Sequence, residues 1–197
     1  KEITVKQNNN KISNKKNIKK TNTKIKIKDE QSNIFIVIPN FNKDKCVELI
    51  KNLLNQKITT WKLQIFSNDL NNIDNCFKDN RIEIISTEEN NFFKILNLGI
   101  NNFLKSDSDY FIYLNEDNFY YENFLEELLK KKNKFTYSYF SNNECIKERS
   151  YNCFNDLLTW SGIGLFMYSK DALEKIENFN SNLSFLEEYE FILRTFL

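Results

Sequence analysis

Apolar residues in this chain gather into short runs separated by amphipathic stretches, and the first run begins at Ile34. IFIVI (34–38) is continuous and rich in β-branched residues, the pattern of a strand buried on both faces. The only proline, Pro39, stops it. Asp44 is placed to cap a helix in which Val47, Ile50, Leu53 and Leu54 recur at helical spacing. LQIFS (63–67) reads as a second strand and RIEIIS (81–86) as a third, with an Asn/Asp-rich loop between them. Residues 91–104 predict a helix with Phe92, Phe93, Leu96, Ile100 and Phe103 on one face. YFIYL (110–114) is a fourth strand, followed by a helix over 123–131. KFTYSYF (134–140) and GIGLFMY (162–168) read as further strands, and helices follow from about Lys170 and over 186–196.

Strands that alternate with helices in this way predict an α/β domain with a mostly parallel sheet and helices on both faces. Ligands in such folds bind at the carboxyl ends of the strands, so the residues just after each apolar run are the ones to inspect. Composition narrows the chemistry available there. The chain has no His, which excludes the Ser-His-Asp triad, His-dependent zinc sites and His general bases. Acid–base work must then come from Asp, Glu, Lys, Tyr or Cys.

Charge divides the chain in two. Residues 1–28 carry ten Lys against one acid, Glu2, a charge of +9; the net of +1 for the whole leaves −8 on the rest. The basic stretch, Lys/Asn-rich with little to bury, predicts a flexible linker or tail over residues 1–32 ahead of a domain over 33–197. A nucleic-acid arm is the weaker reading, because an acidic body repels phosphate backbones. No apolar run approaches 18 residues and no signal-peptide core is present, so this segment is expected neither to span a membrane nor to carry a secretory signal. A chain that starts at Lys1 rather than Met is expected to be part of a longer one. Cys46, Cys76, Cys145 and Cys153 form no CxxC pair, and reduced thiols in a cytoplasmic setting are the default.

Three polar turns follow predicted strands: Pro39-Asn40-Phe41-Asn42, Ser67-Asn68-Asp69 and Asn115-Glu116-Asp117-Asn118. Adjacent carboxylates after a buried strand repel each other unless a cation or hydrogen-bond donors offset them. Mg²⁺ or Mn²⁺ suits such a site, since one or two carboxylates plus substrate phosphates complete its shell. Taken alone, the four residues are better read as a polar turn that caps the next helix.

The order of the segments adds to this. IFIVIPNFN, Leu53-Leu54-Asn55-Gln56, Trp61–Asn68, NNFFKILNLGI (90–100), DYFIYLNEDNFYYENF (109–124) and FNSNLSFLEEYEFILR (179–194) together resemble the successive motifs of the family-2 glycosyltransferases, over about residues 34–197. The resemblance implies a GT-A fold, a Rossmann-like α/β/α sandwich. It also implies an inverting, metal-dependent enzyme of the hexosyl- or N-acetylhexosaminyl-transferring kind. Such an enzyme would take a nucleotide-sugar donor, a UDP-sugar first, and a glycan, lipid or protein acceptor, in polysaccharide or glycan biosynthesis. By the same resemblance Pro39, Asn40 and Phe41 line the uridine pocket. Ser67 stands where the family has a base-reading Asp, with Asp69 two residues on. Asp117 is the metal ligand, Glu116 binds the ribose or assists the metal, and Glu188 is the general base, in the place of the family's Asp. Glu188 lies near a predicted helix start, where the helix dipole favours the ionised form. Read without the family, Glu187, Glu188 and Glu190 are a solvated first turn. Trp160 and Tyr168 are assigned to the core, and Gly99 to close packing of its helix. The departures at Ser67, Asn115 and Glu188 keep a second function open: a catalytically silent GT-A module that binds a nucleotide or scaffolds a larger protein.

Overall fold

All five residues of β1 (Ile34–Ile38) are buried, as an unbroken apolar run requires, because helices cover both sides of it. The computed structural model describes residues 32–40, 42–68, 75–131, 135–137, 166–183 and 186–195. The basic stretch 1–31, Phe41, Asp69, Cys145, Cys153 and Trp160 lie outside the described residues. After β1 come α1 (Lys43–Leu54), β2 (Trp61–Ser67), a 3-10 turn (Asn75–Lys78), β3 (Ile82–Ser86), α2 (Phe92–Lys105) and β4 (Tyr110–Tyr113). They are followed by α3 (Phe124–Lys131), β5 (Phe135–Tyr137), β6 (Phe166–Ser169), α4 (Lys170–Ile176) and α5 (Glu187–Thr195).

Among the described residues the sheet has six strands, in the order β3-β2-β1-β4-β6-β5. β1 pairs in parallel with β2 and β4, and β2 in parallel with β3. Only β6 runs against its neighbours, pairing antiparallel with both β4 and β5. Strand order reverses direction at β1/β4, the place where doubly wound sheets open a crevice.

Alternate strand residues feed two cores, one on each face. On the first, Ile34, Ile36, Ile38, Ile112 and Leu114 meet Cys46, Leu49, Ile50 and Leu53 of α1 and Leu125, Leu128 and Leu129 of α3. On the second, Phe35, Val37, Phe111, Tyr113 and Tyr168 meet Ile95, Leu96, Ile100 and Phe103 of α2, Leu173 of α4, and Phe191 and Ile192 of α5. Tyr168 is buried, in agreement with its assignment to the core. A Cβ on Gly99 would lie 2.7 Å from Val37 Cγ2, so the glycine lets α2 rest directly on β1. No helix among the described residues is long and apolar enough to cross a membrane.

One helix boundary differs from the sequence expectation. Asn42, not Asp44, caps α1: its side chain accepts from the Lys45 backbone N–H, and Asp44 sits inside the first turn. Both satisfy the helix start electrostatically, but only the residue just before the first turn has the extended backbone that aims its oxygen at the free N–H groups. Asn91 likewise caps α2, accepting from Lys94 N at 3.0 Å. Its backbone, at φ −80°, is extended and needs no glycine. Of the two later strand expectations, 135–137 and 166–169 are strands and the remaining residues lie outside the described ones.

Candidate active site

Parallel pairing of β2, β1 and β4 brings their three following turns to one edge of the sheet. The register sets Ile38 beside Ile65 and Val37 beside Tyr113, and Leu114 N donates to Val37 O at 2.9 Å. Pro39, Asn40, Ser67, Glu116 and Asp117 therefore share the carboxyl edge, as the sequence predicts. Pro39 is buried and Asn40 exposed. Ser67 is buried, 3% exposed, at the end of β2.

The turn bearing Glu116 and Asp117 is built around one phenol. Tyr120, 4% exposed, donates its hydroxyl proton to Asn115 O (3.1 Å) while its oxygen accepts from Asn115 N (3.1 Å). Asn115 Oδ1 accepts from Asp117 N at 2.9 Å, closing the turn. Burial pushes the Tyr120 phenol up to about 12, so it remains a donor throughout the neutral range. Gln56, at the end of α1, anchors the chain after this turn. Its amide donates to Tyr121 O (2.6 Å) and accepts from Leu125 N (3.0 Å) at the start of α3. Gln56 is 4% exposed, and a buried amide with both ends satisfied makes a rigid link between α1 and the acidic turn. Nothing in the residue pattern singled out Tyr120; its signal is burial between two exposed aromatics, Phe119 (70%) and Tyr121 (68%).

Asp117 points outward. Its carboxylate forms an ion pair with Lys45 of α1, both side chains about half exposed, and the pairing holds the Lys45 ammonium above its usual pKa. No group of three or more acidic or cysteine side chains converges among the described residues. Glu116 and Asp117 form a minimal donor set, which fits Mg²⁺ or Mn²⁺ only as an ion that draws most of its shell from substrate phosphate and water. Lys45 would have to yield Asp117 to such an ion.

Glu188 occupies the first turn of α5 and is not a solvated charge. Its Oε1 accepts a hydrogen bond from the hydroxyl of Tyr113, the last residue of β4. Burial pushes the Glu188 carboxyl above the usual carboxylate range, and the Tyr113 hydrogen bond opposes this only in part. The helix-dipole argument for a readily ionised Glu188 thus loses to desolvation. Tyr113 is itself 7% exposed, and burial raises its phenol far above ordinary tyrosine.

Residues 179–194 hold α5 in place. Phe179 stacks on Phe191 with ring centroids 3.8 Å apart, and its backbone exchanges two hydrogen bonds with the Asn97 side chain of α2, at 2.9 and 2.8 Å. Arg194 pairs with Glu190 (2.5 and 2.9 Å) and donates to the carbonyls of Ile176 and Asn178. Leu186 enters the helix at φ 65°, a conformation costly for a branched side chain, which fixes the angle at which Glu187 and Glu188 start the turn.

Solved structures share this fold. Staphylococcus aureus TarS, a glycosyltransferase, superposes with a TM-score of 0.61 at 13% identity. The fold is GT-A. The match covers 83% of this chain and 33% of TarS, so the chain spans about a third of the length of that protein. No family model matches the sequence, and no curated protein matches it. In the GT-A frame the carboxyl edge that gathers Asn40, Asp117 and Glu188 is the candidate site. A cleft of about 510 Å³ opens instead at the amino ends of the strands, among Trp61, Arg81, Glu83 and Asp107. Arg81 stacks on Trp61 there, 3.9 Å from the ring centroid, and none of the candidate groups reaches it.

Proposed function

We propose that the chain is the catalytic domain of an inverting, family-2-like glycosyltransferase that moves a hexosyl or N-acetylhexosaminyl unit from a nucleotide sugar, first a UDP-sugar, to an acceptor hydroxyl. The observation that supports this best is the position of Glu188. It is a partly buried carboxylate with a raised pKa, set against the end of β4 two residues before the acidic turn, in a GT-A fold. Perturbed carboxylates of this kind are commoner at functional sites than elsewhere.

In this reading Asn40 and Pro39 flank the nucleoside, with Phe41 and Asp69 as the family-based candidates beside them. Asp117 and Glu116 hold Mn²⁺ or Mg²⁺, which when bound offsets the charge gathering on the departing diphosphate. Glu188 takes the proton of the acceptor hydroxyl as that oxygen attacks the sugar. A glycan, lipid or protein is the acceptor, and the chain works within a longer protein in glycan assembly at the cytoplasmic side. The deciding experiment is a turnover screen of UDP-, GDP- and dTDP-sugars with Mn²⁺ present; release of diphosphate nucleotide from none of them sinks the proposal.

The second reading is a silent GT-A module. The Lys45–Asp117 ion pair favours it, since a resident ammonium supplies the counter-charge that a metal would otherwise bring. Calorimetric binding of UDP that is indifferent to Mn²⁺, with no turnover, is the result it requires.

A further inference from the structure

The hydrogen bond between Tyr113 and Glu188 joins residues 75 apart in sequence, from the end of β4 to the first turn of α5. We propose that Tyr113 is the positioning residue of the base: its hydroxyl fixes one Glu188 oxygen and leaves the other to take the acceptor's proton. This rests on the glycosyl-transfer reading above.

The phenol is well held for the task. Its ring lies edge-on to Phe92 (centroids 6.2 Å, 85°) and to Phe179 (6.5 Å, 78°), and Phe179 is pinned to Asn97 and stacked on Phe191 of α5. The donor and the helix that bears the acceptor are thus braced against the same ring. A buried phenol whose pKa lies far above neutrality keeps its proton, so in this bond Tyr113 donates and does not compete for the proton that Glu188 must receive. Among the described residues, the other groups that face Glu188 are few. Tyr168 of β6 feels its charge from within the core. On α5 itself, Glu190 is engaged by Arg194, and Glu187 and Tyr189 flank the base in sequence. No cation is among them, so the Tyr113 hydroxyl is the group that favours the ionised carboxylate against burial.

The step balances as follows. The acceptor O–H proton passes to the free Glu188 oxygen while the acceptor oxygen bonds to the anomeric carbon. The bond from that carbon to the diphosphate oxygen breaks, and its electron pair leaves with the nucleotide. Tyr113 gains and loses nothing; it sets where Glu188 points and how readily it ionises.

The test compares wild type with Tyr113→Phe, which keeps the ring and its packing. Hydrolysis of UDP-glucose and UDP-N-acetylglucosamine with Mn²⁺ gives kcat and KM from acid to neutral pH. Carbon-13 NMR of the glutamate carboxyls, assigned with Glu188→Gln, gives the titration of Glu188 without any need for turnover. The variant is expected to keep the donor KM and to lose about ten- to a hundredfold in kcat, as when the partner that orients a functional side chain is removed. Its acidic limb and the Glu188 titration should move together to higher pH, because the bond that favours the carboxylate is gone. An unchanged limb and titration overturn the proposal, even if kcat falls, since a merely structural loss would move neither. A donor KM that rises as kcat falls overturns it too. Failure of the broader reading looks different: wild type then turns over neither donor, while the NMR titration still moves in Tyr113→Phe.

Discussion

Asp117 and Glu188 are carboxylates at the same edge of one sheet, yet their surroundings are opposite. Asp117 ends a turn tied down through its backbone, with its side chain 57% exposed and its charge met by the Lys45 ammonium. Glu188 begins a helix packed on the second core, where burial raises its pKa and a single phenol is its donor. The first arrangement leaves the carboxylate open to water and beside a cation. The second keeps a carboxylate reluctant to ionise, which is what a proton acceptor near neutrality needs. Two faces of one sheet therefore give two settings: in the proposed reading the face carrying α1 and α3 would present a metal ligand, and the face carrying α2, α4 and α5 a base.

That division is broken most directly at Glu188. Glu188→Gln should keep the fold and donor binding and lose roughly 10²–10⁴-fold in turnover, the usual worth of a positioned base. Glu187→Gln should cost less. If Glu187→Gln is the inactive variant and Glu188→Gln turns over normally, the base lies one residue earlier and the buried carboxylate is structural.

Asp117→Asn attacks the other side. Calorimetry with UDP should show the Mn²⁺-dependent part of binding gone, because an amide is a poor ligand for a hard ion. Glu116→Gln should weaken it less. Metal-dependent affinity that survives Asp117→Asn would remove this carboxylate from the site and leave Lys45 as its permanent partner.

How much of this the sequence carries depends on the range of each interaction. β1 is legible because five consecutive apolar residues need no knowledge of their neighbours, and the second, third and fourth strands follow from runs of the same kind. The Asn97, Gly99, Gln56 and Arg194 positions are visible as parts of motifs, but their work is not. Asn97 grips Phe179 82 residues away, and Gln56 reaches Tyr121 across 65. The reversal of β6 is invisible for the same reason: a four-residue strand has the same apolar pattern in either direction. Asn42 was displaced by Asp44 in the sequence reading because both residue types cap helices, and only backbone conformation separates them. The burial of Glu188 is hidden for the same reason: the resemblance points to it as a base, but nothing local says that Tyr113 donates to it.

Packing beneath the base offers a smaller perturbation, confined to one face. Gly99→Ala would set a methyl 2.7 Å from Val37 Cγ2, and the stiff β-branched side chain has little room to turn. Thermal unfolding should show a loss of about 1–2 kcal/mol, the cost of overpacking less the alanine's helix propensity. If UDP binds with Mn²⁺ at Asp117 as proposed, that binding should be untouched, since Asp117 pairs with α1 on the opposite face. A variant as stable as wild type would mean that α2 does not rest directly on β1 at Val37.

The least effect is on stability, and it has opposite expectations for the two carboxylates. A carboxyl whose pKa is raised on folding stabilises the folded state fully only below its unfolded pKa, near the ordinary carboxylate range. As pH climbs from there through the raised folded value, the unfolded chain ionises first and stability falls. Glu188 is such a group, through burial. Glu188→Gln carries no charge to desolvate and can still accept from Tyr113 through its amide oxygen, so it should be more stable than wild type at neutral pH. The gain should be about 0.5–2 kcal/mol, as when a destabilising functional group is neutralised. Towards pH 4 the two proteins should converge, since the wild-type carboxyl is then protonated in both states. Asp117→Asn should show no such gain, because its charge stands in water beside Lys45, and exposed pairs contribute little. Chemical denaturation from pH 4 to 8 on the two variants gives both curves. Parallel curves for Glu188→Gln and wild type across that range would mean that folding does not raise the Glu188 pKa, and the contrast between the two sides of the sheet would be lost.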